Sequence, residues 1–198
     1  MAEGAEAMPC APTGLLSSRF RAAGEARTAR WYAAYAGEGR EDALAAKVGA
    51  ALPAEVLSEA FCPKWEAVMK RRGTWFKVER PMFRGYVLLA SCDGRGLARA
   101  VERLSFPVSL AGRRGRALLP VEAEVQRWLE ETLGPSRVLR ASEGFIEGGK
   151  LVVERGPLVG RESRIRKINR HKSLAFVELG QPGAGFLLQA ALSVPRKN

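Results

Sequence analysis

The residues with the strongest chemical bias lie near the C-terminal end, in "RGPLVGRESRIRKINRHKSLAFVEL" from Arg155 to Leu179. Between Arg155 and Lys172 there are seven Lys/Arg and one acid, Glu162. Arginine carries paired N–H donors that fit a phosphate or a guanine edge, and lysine a compact ammonium, so the stretch points to gripping a polyanion. A solvated face is the other reading of any charge run, and composition alone leaves it open. Extended backbone from Ser163 to Arg166 would turn Ile165 inward and Arg164 and Arg166 outward, because side chains alternate faces along a strand. Arg170, His171 and Lys172 then fall in the turn before the next strand. Two outward arginines and a cationic turn would converge on one edge of a small β-structure.

Little else in the chain could do chemistry. There is one histidine, His171, no G-x-S-x-G and no phosphate-loop pattern, and the acids are scattered mainly over helix surfaces. No nucleophile, base and orienting group come together, so neither a catalytic site nor a cofactor is expected and the chain reads as a binding protein. Three cysteines, Cys10, Cys62 and Cys92, with one histidine give no zinc-ligand set, and a reduced protein without metal is expected. "DGRG" at Asp93–Gly96 reads as turn chemistry rather than a phosphate cradle.

The formal charge is +11 over 198 residues, which favours phosphate-rich partners. The surplus is uneven. Residues 1–28 are balanced, residues 29–133 hold 17 basic and 13 acidic side chains, and residues 134–198 hold 12 and 5. With 46% apolar residues the chain is globular and long enough for one sizeable or two small cores. No run approaches the ~18 apolar residues of a membrane span, and Glu3 and Glu6 stand where a secretion signal would be basic, so a cytoplasmic location is expected.

These residues must be positioned by regular elements. "RWYAAYA" reads as a strand with Trp31, Ala33 and Tyr35 on one face, and Leu44, Val48 and Leu52 follow at helical spacing. Residues 59–80 read as extended pieces with Lys70-Arg71-Arg72 at a hairpin tip. "MFRGYVLLAS" is a strand in which Tyr86 and Leu88 share a face. A helix with Leu97, Val101 and Leu104 in one stripe, the strand "FPVSLAG" and the helix "PVEAEVQRWLEETLG" complete an α+β region, an antiparallel sheet with helices. Too few helices exist to cover both sheet faces, so some aromatic surface is left to dock a partner. After Gly134-Pro135, glycine-broken short strands predict a small barrel. The expected division is a flexible leader over 1–28, an N-terminal domain over 29–134, a linker over 135–144 and the barrel over 145–198.

The order of "RWYAAYAGEGREDALAAKV", "MFRGYVLLAS" and "VVERGPLVGRESRIRKINRHKSLAFVEL" resembles the NusG family of transcription elongation factors over nearly all of residues 29–195. Trp31 and Tyr32 match the family's W-Y strand, Phe83, Gly85, Tyr86 and Val87 its F-P-G-Y-V strand, and Gly156, Pro157, Leu158 and Gly160 its KOW motif. "FCPKWEAVMKRRGTWF" and "KINRHKSLAFVEL" are most similar to its LoaP-like antiterminators. Arg84 stands where the family usually has proline, which would loosen the turn into the strand. Ser163 stands where the KOW motif usually repeats glycine, which would make a positive φ there uncomfortable.

The resemblance implies an NGN-type domain followed by an SH3-like KOW barrel, in a monomer that contacts no membrane. It implies docking on the clamp region of RNA polymerase through Tyr32, Phe83, Tyr86 and Leu88, with non-template DNA as a further contact. In the LoaP-like branch the KOW domain would bind a nascent RNA hairpin, here through Arg161, Arg164, Arg166, Lys167, Arg170, His171 and Lys172, for processive antitermination. Two alternatives remain: a general elongation factor whose KOW domain binds only proteins, and a ribosome-associated KOW module.

Overall fold

Apolar alternation, turn residues and helix caps resolve into three helices and fourteen strands in the computed structural model, which describes residues 28–114, 117–181 and 185–195. For Lys70, Arg71, Trp75, Arg113, Arg114 and Ala117 only the backbone is described. The expected leader, apart from Thr28, lies outside the described residues. In chain order the elements are β1 (Arg30–Tyr35), α1 (Glu41–Ala51), β2 (Glu59–Phe61), β3 (Lys64–Arg71), β4 (Thr74–Pro81) and β5 (Tyr86–Ser91). Then come α2 (Gly94–Glu102), β6 (Ser109–Leu110), β7 (Arg113–Arg114), β8 (Ala117–Leu118), α3 (Ala123–Thr132) and β9 (Val138–Leu139). The chain closes with β10 (Ser142–Glu147), β11 (Lys150–Arg155), β12 (Ile165–Asn169), β13 (Leu174–Leu179) and β14 (Phe186–Ser193). The class is α+β. Among the described residues no helix is long and apolar enough to cross a membrane.

Among the described residues two compact units emerge, one within residues 28–62 and 84–121, the other within residues 63–83 and 122–195. In the first, a sheet of order β2-β5-β1-β6 buries Tyr32, Ala34, Val87 and Leu89 against Val48 of α1 and Leu97 and Val101 of α2. Asp93 caps α2 by accepting a hydrogen bond from the Arg95 N–H at 3.0 Å, so the "DGRG" stretch is a helix cap. Cys62 is buried in this unit.

The second unit begins at Pro63, which supplies no N–H to a ladder, and the extended residues on either side of it are the separate strands β2 and β3. β3 and β4 form the expected hairpin, with Arg72 and Gly73 at positive φ in its tip. β9 pairs in parallel with β3, so residues 138 and 139 of the expected linker are strand. Glu66 of β3, buried among these elements, accepts a hydrogen bond from the Ala141 N–H at 2.9 Å and pairs with Lys77 at 3.2 Å and Arg140 at 3.6 Å. Burial pushes its titration up, but the Ala141 N–H, Lys77 and Arg140 outweigh it and hold the carboxyl below its ordinary range. This clamp and the β3–β9 pairing explain why the hairpin groups with the C-terminal strands instead of with the sequence neighbours on either side of it.

The C-terminal strands make one sheet of order β11-β10-β14-β13-β12. Among the described residues no ladder joins its edges β11 and β12, so the expected barrel is open along that seam. The sheet starts at Ser142, three residues before the expected boundary. Gly156 is indispensable to the loop after β11: its φ is +97°, and a Cβ there would lie 2.6 Å from Ser142 Oγ, which accepts the Leu158 N–H.

Candidate nucleic-acid interface and aromatic face

The basic stretch sorts into two sets of side chains. Glu162–Arg164 is a single 3-10 turn rather than strand, so only the part from Ile165 on is extended. Arg161 bonds the Pro157 and Val159 carbonyls and pairs with Glu131 of α3 at 3.0 Å. Arg164 pairs with Glu124 of the same helix, and Arg166 with Glu178 of β13. Arg166 falls at a bulge in the β12–β13 ladder, between Ile165 opposite Val177 and Lys167 opposite Phe176. A bulge re-aims the side chain, here along the sheet toward Glu178. Arg166 is exposed, as expected, and Arg164 half-buried, but both spend their guanidinium on a carboxylate of this unit.

Lys167, Arg170, His171 and Lys172 differ. All four are exposed, and among the described residues none has a side-chain ion pair or hydrogen bond. Arg170–Lys172 form a 3-10 turn between β12 and β13, the position read from the sequence. The turn is fixed from both sides. Asn169 Oδ1 accepts the Lys172 N–H at 3.1 Å, and Ser173 leaves in the left-handed region, its carbonyl accepting the Leu192 N–H at 3.0 Å. Holding cations on a rigid backbone without partner carboxylates leaves their full charge for a ligand, with little backbone entropy lost on binding.

Glu162, the one acid of the stretch, is a fastening. Its carboxylate accepts the N–H groups of Val153 at 3.1 Å and Gly160 at 3.4 Å. Its own backbone amide, against the opposing effect of burial, and then Val153 and Gly160 hold its titration below the ordinary glutamate range. Ser163 sits inside the 3-10 turn with no positive φ; the left-handed positions are Gly156 and Gly160, so the expected strain at Ser163 is absent.

Of the four aromatic and apolar docking residues, two are core. Tyr32 is 7% and Leu88 3% exposed, both core, so neither can meet a partner without opening the sheet. Phe83 belongs to the second unit and packs edge-on against Phe186, with ring centroids 5.9 Å apart. Tyr86, at 38% exposure, is open to solvent, and its neighbour is Tyr35 at 54%, edge-on at 5.4 Å. Cross-strand register brings them together: Tyr35 lies opposite Tyr86 on the sheet face away from α1 and α2. Tyr35 is a functional candidate that was not among the expected docking residues. Its signal was present in the alternation of "RWYAAY", lacking only the register with β5.

The turn before β5 fixes this pair. Gly85, at φ +77°, donates its N–H to the buried Glu41 carboxylate at 2.8 Å, and its carbonyl accepts the Ala36 N–H at 2.7 Å. A Cβ there would stand 3.2 Å from the Tyr35 ring. Two hydrogen bonds, one to a carboxylate and one to a backbone N–H, thus hold the turn beside the exposed Arg84, against the loosening expected from the missing proline. No protein family and no curated protein matches the chain.

Proposed function

We propose that this chain is a NusG-like, LoaP-like transcription factor. It binds RNA polymerase through an NGN-type first domain and a nascent RNA hairpin through a KOW-type C-terminal one, and promotes processive antitermination. The observation that carries the RNA half is the fixed β12–β13 turn, on which Arg170, His171 and Lys172 are exposed and uncommitted, with Lys167 of β12 exposed beside it. The polymerase half rests on the exposed Tyr35–Tyr86 pair, since amphipathic aromatic rings on a rigid strand suit a partner helix on the polymerase clamp. RNA held at the turn would keep the factor beside the polymerase, and bridging of the clamp would oppose the opening that accompanies pausing and termination.

The test is terminator run-through in vitro with purified polymerase, with and without an upstream hairpin leader. Run-through that rises only with the leader, and falls when Tyr35 and Tyr86 are both changed to Ala, supports the proposal. Equal run-through on both templates would favour a general elongation factor, and no polymerase binding in a pull-down would favour a ribosome-associated module.

A further inference from the structure

We infer that the open seam between β11 and β12 is a groove for a single-stranded nucleic-acid segment. The RNA taken by the basic turn would then be a hairpin with an unpaired flank or an opened loop, not a closed duplex. This inference rests on the RNA-binding reading above.

Two depressions lie end to end along β12. One is lined by Lys167, Ile168, Asn169, Arg170 and His171. The other runs on from Lys167 and Ile168 past Ile165 to Lys150 and Leu151 of β11. They share Lys167 and Ile168, so they adjoin along β12, and the proposed groove runs through both, from the basic turn to the opposite edge of the seam. Its floor is apolar, made by the half-buried Leu151, Ile165 and Ile168. Its rim carries Arg170, Lys167 and Lys150, each exposed and without a side-chain partner among the described residues. The acid in its wall, Glu162, has its carboxylate committed to the Val153 and Gly160 N–H groups, and Arg166 is held by Glu178.

A floor of this kind discriminates between ligands. A closed duplex turns phosphates outward and keeps its bases stacked inside, so it could use the rim but would leave the apolar floor wet. A single strand exposes both: its phosphates can follow the cations while unstacked base faces lie on Leu151, Ile165 and Ile168. As an edge strand, β12 also offers outward backbone N–H and C=O groups with no ladder partner, which base edges can bond. At about 3.3 Å per residue the strand spans roughly 16 Å, room for a few nucleotides and no more.

The test is fluorescence anisotropy of the full chain with a blunt hairpin RNA and with the same hairpin carrying a short single-stranded uridine flank. The flank should tighten binding by about fivefold or more. Lys150→Ala should remove most of that gain and make the salt dependence of the flanked RNA shallower by about one charge, leaving the blunt hairpin unchanged. Arg170→Ala should weaken both. A flank that adds nothing, or a Lys150→Ala loss equal on the two RNAs, overturns the groove while the RNA-binding reading stands. If neither RNA binds, that reading fails and the groove fails with it.

Discussion

Arginines that look equivalent in the sequence should behave oppositely when replaced. Arg170 and Lys172 stand on the turn without partners, whereas Arg164 and Arg166 are each paired with a carboxylate of the same unit. For a blunt hairpin, the uncommitted Lys and Arg of the turn region are Lys167, Arg170 and Lys172. With three phosphates neutralised, log K should fall against log salt with a slope of about −2 to −3. Changing Arg170 and Lys172 together to Ala should bring the slope close to −1 and weaken binding at moderate salt by roughly 20-fold, each exposed charge contributing about fivefold. Changing Arg164 and Arg166 together should leave RNA affinity within about twofold, because a guanidinium already neutralised releases no counterions, and should lower stability by only about 1 kcal/mol since both pairs are partly solvated. The assay is a filter-binding titration between about 50 and 200 mM salt on both variants, with a urea melt to confirm folding. If the Arg164/Arg166 variant loses the slope and the Arg170/Lys172 variant keeps it, the division into committed and free cations is wrong.

Glu66→Gln should lower the urea midpoint by about 0.5–1 M, equivalent to roughly 1–2 kcal/mol once the exposed positions of Lys77 and Arg140 are allowed for. Because the folded carboxyl titrates below its ordinary 4.5, its contribution is complete above that pH and fades as pH falls through the lower folded value. The parent should therefore lose stability on acidification that the variant never had, and melts at neutral pH and near pH 3 that differ equally for both proteins would contradict this. Gly85→Ala combines a left-handed φ with a Cβ pressed on the Tyr35 ring, so it should cost about 1–2 kcal/mol and lower retention by immobilised polymerase. Retention unchanged in a variant shown to be destabilised would detach the Tyr35–Tyr86 pair from polymerase docking.

Much of the local structure was legible because it is written in short-range pattern. The stripes of α1 and α2, the β3–β4 hairpin tip and the turn at Arg170–Lys172 follow from periodicity and turn chemistry within ten residues or so. What was not legible depended on partners far along the chain. Whether Arg164 and Arg166 are free could not be known without Glu124 and Glu178, which are 40 and 12 residues away. Tyr32 and Tyr86 look alike as aromatic strand residues, and only pairing with β5 puts the first in the core and the second beside Tyr35. The bulge at Arg166 shows the same limit: the side chain is exposed, as alternation predicts, but its pairing with Glu178 across the irregular ladder is not written in the local pattern.

The Glu66 clamp also decides what the segment 135–144 can do mechanically. A tether of ten free residues would let its ends explore a volume set by chain statistics, and effective concentration would change smoothly as residues were added. Here β9 is ladder-paired to β3 and the Ala141 amide is fastened to Glu66. Extra residues inserted between Leu139 and Ala141 would therefore have to break or bulge a fixed attachment before they lengthened anything, so the segment transmits force as a spliced joint, not as slack.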